Sequence, residues 1–100
     1  MHYENFLDNL IPDRIYLINE YGDPNHIHQL LSKNLSISID ESKKRYGVKI
    51  DTLRNEITFT GDGRSLIDIS NIAIRKRVTI VSFSQYGLIL NLNEFITRVI

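Results

Sequence analysis

The chain has 100 residues, 12 basic and 12 acidic side chains, and no cysteine. That length suits one domain with one core. The composition excludes disulfide and thiolate chemistry, and no apolar run approaches the ~18 residues of a membrane span.

Glu4 and Asp8 stand where a signal peptide wants positive charge, so a cytoplasmic protein is expected. The charge is uneven. Residues 1–30 carry a net −4, and residues 31–60 and 61–100 carry +2 each. An acidic end on a neutral domain fits either a basic partner or ordinary surface variation.

Tyr3, Phe6, Leu7 and Leu10 share one face of a short helix. Ile11-Pro12 should end it. A second helix is expected from Pro12, with Ile15, Ile18 and Tyr21 on one face and Gly22 and Pro24 as stop signals. The rival for this stretch is a strand, Arg14–Asn19, because Ile-Tyr-Leu-Ile is β-friendly.

From His26 the period changes. His26–Leu31 is a weak strand candidate, and Leu35, Ile37 and Ile39 alternate with Ser36, Ser38 and Asp40 as a half-buried strand. Tyr46–Asp51, Glu56–Thr60, Leu66–Ser70, Arg75–Ser84, Gly87–Leu92 and Glu94–Ile100 follow as further short runs. The loops fall at Glu41–Lys44, Thr52–Asn55, Gly61–Arg64, Asn71–Ile74 and Gln85–Tyr86.

Val78–Leu92 is the most apolar run and reads as a central hairpin. Its first strand has little room for a solvent face and is expected to be buried on both sides. Gly87 should close the turn with a left-handed backbone.

The expected fold is therefore mainly β. It is an antiparallel β-sandwich or half-open barrel of seven to eight short strands with one or two short N-terminal helices. Residues 1–100 are expected to form a single domain, with 1–24 as a helical lid and 26–100 as antiparallel sheets.

No motif specifies chemistry. His26 and His28, two apart on a strand, would share a face, but no third metal ligand is required nearby. Gly61-Asp62-Gly63 suits a hairpin turn better than a phosphate or calcium loop. Lys43-Lys44-Arg45 and Arg75-Lys76-Arg77 would hold a nucleic-acid backbone if one sheet face carried both. As a charged turn and edge strand, they would instead guard the sheet. All three histidines lie within the first 28 residues, which leaves few acid–base or nucleophile pairs. No enzyme activity, cofactor or metal is expected.

Asn9-Leu10 through Ile18, the break Tyr21-Gly22-Asp23-Pro24 and the strand material from His28 resemble one β-rich type of small immunity protein. Such proteins belong to the toxin–immunity systems of bacterial contact-dependent growth inhibition. The resemblance covers the layout of most of the chain, though its local motif spans four residues. It implies a non-enzymatic cytosolic protein that binds one cognate toxin domain, one to one, and blocks its active site. A nuclease toxin would be basic at its cleft, because its substrate is a polyanion. The implied toxin-binding residues are Glu20, Tyr21, Asp23, Asp40, Glu41, Asp62 and Tyr86. The carboxylates would steer association and the aromatics would carry affinity. Many nuclease inhibitors are strongly acidic overall, whereas this chain is neutral. The alternative is a small nucleic-acid-binding or accessory β-domain that uses the basic clusters at 43–45 and 75–77.

Overall fold

The computed structural model describes residues 23–100. The helices expected between Tyr3 and Tyr21, and the choice between helix and strand at 12–21, lie outside the described residues. Eight elements follow in order: α1 (Pro24–Leu35), α2 (Ile39–Arg45), β1 (Gly47–Asp51), β2 (Glu56–Thr60), α3 (Gly63–Lys76), β3 (Ile80–Ser84), β4 (Gly87–Asn91) and α4 (Leu92–Arg98).

This corrects the expected fold class. The described residues form four helices and one four-stranded antiparallel sheet of order β1-β2-β4-β3, with no β-sandwich among them. The runs Leu66–Ser70 and Glu94–Ile100, expected as strands, are mostly helix, and so is His26–Leu31. Leu35–Asp40 is the junction between α1 and α2. The expected loops Glu41–Lys44 and Asn71–Ile74 lie inside α2 and α3.

Capping side chains explain the change. Asp23 caps α1, where Pro24 takes the first helical position. Ser38 caps α2 by accepting from the Glu41 N–H, and Asn91 caps α4 by accepting from the Glu94 N–H. Asp62 accepts the Ser65 N–H at 2.8 Å, so Gly61-Asp62-Gly63 begins a helix and does not turn a hairpin. Each cap satisfies an otherwise orphaned helix N–H. Downstream, Leu66, Ile69 and Ala73 recur at helical spacing and are buried.

One face of the sheet is apolar. Ile57 and Phe59 of β2 and Leu88 and Leu90 of β4 are buried, with Val48 and Ile50 of β1 half-buried beside them. The other face carries Lys49, Thr58 and Ile89 in one row and Asp51, Glu56 and Asn91 in the next. Helices cover the apolar face. α1 packs on α2 and β1, α4 on β2 and β4, and α3 on β4. Phe59 and Phe95 tilt against each other at a centroid distance of 5.3 Å near the centre of this layer.

β3 runs parallel to β2, with β4 slotted between them and antiparallel to both. The hairpin expected at Val78–Leu92 is present as β3–β4, and Gly87 takes φ +135°. A Cβ there would sit 2.7 Å from the Phe59 carbonyl oxygen, so only glycine fits. The burial expectation for its first strand is overturned, since all five residues of β3 are exposed. β3 is an edge strand, and no described helix covers it as they cover β1, β2 and β4.

Candidate functional site: an apolar edge strand

β3 reads Ile-Val-Ser-Phe-Ser and carries no charge. Ile80 and Phe83 lie opposite Leu90 and Leu88, so their side chains point to the helix side of the sheet. There they remain partly open, with Phe83 44% exposed. Val81 is the extra residue of a bulge between Ile80 and Ser82, and it is 49% exposed. Tyr86, at the tip of the hairpin, is 80% exposed.

α3 packs on the neighbouring strand, β4. The flank of α3 bearing Asp68, Asn71, Ile72 and Arg75 faces Asn34 and Leu35 of α1 across a cleft of about 340 Å³. Leu66, Ile69 and Ala73 face the sheet. At 3.6 residues per turn, Ile67 and Ile74 fall together on the opposite flank. They are 51% and 66% exposed. They stand on the side of α3 turned away from the buried Leu66, Ile69 and Ala73.

The edge is firmly held at its start. Val78 is buried, and its N–H donates to the Ala73 carbonyl at 2.8 Å. The Thr79 N–H donates to the Glu94 carboxylate at 2.7 Å, and this bond keeps Glu94 below its ordinary pKa. The Arg98 guanidinium donates to the Arg77 carbonyl. These bonds anchor the chain just before β3.

The residues expected to bind a toxin divide differently. Glu20 and Tyr21 lie outside the described residues. Asp23 is exposed and accepts the Asn25 N–H at 2.9 Å as the cap of α1. Asp40 and Glu41 occupy the first turn of α2, and Glu41 pairs with Arg45 at 2.7 Å. Asp62 caps α3, and the Ser65 N–H holds its carboxyl below the usual range. All four described acids sit at helix N-termini, where negative charge favours the helix whatever the partner. Tyr86 alone belongs to the apolar edge.

The basic clusters occupy helix C-termini. Lys43, Lys44 and Arg45 close α2, while Arg75 and Lys76 close α3 just before Arg77. Gly61 abuts the Arg45 carbonyl, which sets the start of α3 beside the first cluster. The 14 residues of α3 then carry the second cluster about 20 Å away. The two clusters do not merge into one patch.

His26 and His28 lie on a helix, where a spacing of two turns the imidazoles to different sides. No group of three metal-binding side chains assembles among the described residues. His28 Nδ1 and Ser42 Oγ share a hydrogen bond of 2.7 Å between α1 and α2. Both residues are buried, so Ser42 has no access to a substrate, and the pair joins the two helices. Burial pushes His28 below its ordinary pKa of 6.5, and the Lys43 charge adds to this.

No described helix is long and apolar enough to cross a membrane. The surface that sequence reasoning misses is the exposed β3 edge. Its signal is the absence of any charge between Val78 and Leu92, which reads equally well as burial. In comparisons with known proteins, no family model, curated protein or solved structure matches the chain.

Proposed function

We propose that this protein is a binding domain without catalytic activity, and that it acts as an immunity protein that neutralises a cognate toxin domain. The carrying observation is the uncharged β3 edge, exposed in all five residues and covered by no described helix. Soluble proteins guard such edges with charge, proline or a covering segment, and an unguarded one marks an interaction surface. The toxin partner comes from the resemblance at Asn9-Leu10 through Ile18 and Tyr21-Gly22-Asp23-Pro24 alone, because the strand layout expected from His28 is replaced by α1 and α2. Contact centres on Ile80, Val81, Phe83 and Tyr86, with the helix-capping acids peripheral. This placement also suits a neutral inhibitor, because shape and aromatic burial carry affinity without a polyanion mimic.

The test is co-expression with the C-terminal domain encoded immediately upstream. A domain that is lethal alone, and is rescued by and co-purifies with this protein, is the expected result. Phe83→Lys should abolish rescue and Asp40→Lys should not. A harmless neighbour with no complex overturns the reading.

A further inference from the structure

We propose that α2 is a pH-sensitive strap: acidification protonates His28 and releases α2 from α1, while α3 and the sheet stay folded. α2 is fastened at both ends and held in the middle by one side-chain pair. Before it, Ser32 bonds twice to Ile37. The Ser32 carbonyl accepts the Ile37 N–H at 3.2 Å, and the Ser32 hydroxyl donates to the Ile37 carbonyl. After it, Tyr46 is buried, and its hydroxyl donates to the Ser65 carbonyl at 2.8 Å. Between these anchors α2 has seven residues, and Ser42 is the one it buries. A helix that short is marginal without packing partners. Its hold on α1 therefore centres on the 2.7 Å bond between Ser42 Oγ and His28 Nδ1.

Neutral imidazole suits this place and imidazolium does not. In either neutral tautomer the ring and the hydroxyl satisfy each other with one bond. The imidazolium brings two N–H donors and a charge into a site where His28 is 6% exposed. Lys43 of α2 adds a like charge, and no described carboxylate offsets it. β1, on which α1 also packs, turns Lys49 and Asp51 to the open face of the sheet. Burial first, and then Lys43, keeps His28 below its ordinary 6.5, so the released state takes up the proton more readily. The strap is fully held above 6.5 and loosens as pH falls toward the folded value. Release wets His28 and uncovers the flank of α1 beneath α2, while the two anchors keep the segment tethered. This device does not rest on the immunity reading.

The test is hydrogen exchange of the full chain from about pH 7.5 to about pH 5, corrected for the intrinsic pH dependence of exchange. The Ser42 and Tyr46 amides, bonded to the Ser38 and Ser42 carbonyls, report on α2. Their protection should fall by up to about tenfold per pH unit below 6.5, until α2 exchanges freely while α3 and β2 remain protected. His28→Asn keeps a hydrogen-bonding partner for Ser42 without a titrating group and should flatten the fall. Lys43→Met removes the like charge from an exposed position and should reduce the fall. His26→Asn, on another side of α1, should leave it in place. Loss of protection in α2, α3 and β2 at the same pH overturns the proposal, because the transition is then global. Constant protection in the wild type, a fall that persists in His28→Asn, or one removed by His26→Asn overturns it as well.

Discussion

The sheet has two edges, and they are treated in opposite ways. β1 carries Lys49 and Asp51 on its open face, and α1 shelters Val48 and Ile50 on the other. β3 carries no charge and is exposed along its whole length. Charge and cover are the two usual guards of an edge, and β1 has both. β3 keeps only the bulge at Val81, which adds local twist but leaves backbone groups available. The lesson is that apolar content does not fix burial. β3 and β4 are comparably apolar and adjacent, yet Leu88 and Leu90 are sealed while Phe83 is not. Sheet order and helix placement decide between them.

The contrast can be broken most sharply from the covered side. Leu31 of α1 is fully buried, in the layer that shelters β1. Leu31→Ala should cost about 2–5 kcal/mol, seen as a lower urea midpoint. A loss below about 1 kcal/mol would mean that α1 is a loose cover.

A smaller effect is expected at the hairpin. Gly87→Ala places a Cβ against the Phe59 carbonyl at a positive φ and should cost about 1–3 kcal/mol. Hydrogen exchange should quicken first in β3 and β4, with β1 protected for longer.

His28 gives a pH-dependent test of the α1–α2 cover. Its folded pKa is lowered, so the unfolded chain binds the proton more readily. Stability is therefore full above 6.5 and declines as pH falls below it toward the folded value. Denaturant midpoints measured down this window should fall for the wild type and stay flatter for His28→Asn.

The smallest effect belongs to the open edge. Phe83→Ala should change folding stability by no more than about 1 kcal/mol, because the ring is already half exposed. The same substitution should weaken association with the proposed toxin partner strongly. A large stability loss would show that β3 belongs to the core, and the contrast between the edges would disappear.

Strand signals are legible where alternation and turn chemistry agree, at β1, β2 and the β3–β4 hairpin. The helices are concealed by composition. Isoleucine is β-friendly, and α3 holds Ile67, Ile69, Ile72 and Ile74 within one helix. The pairs Ser38 with Glu41 and Asn91 with Glu94 are the capping signature that outweighs such propensity, and Asp62 with Ser65 acts alike. The helix ends are hidden too. Ser36 and Arg77 take the left-handed conformation at φ 57° and 61°, where a glycine would have announced a stop. The acids expected to bind a toxin can be located from sequence, but their capping role cannot be read until the helices are known. The exposure of β3 depends on strand order, which short-range patterns do not encode.

Lys49 and Asp51 have a consequence for assembly. With β1 guarded and β3 exposed, a strand added to the sheet from outside would join at β3. Replacing both with valine would remove one guard of β1 and leave the other, the cover of α1, in place.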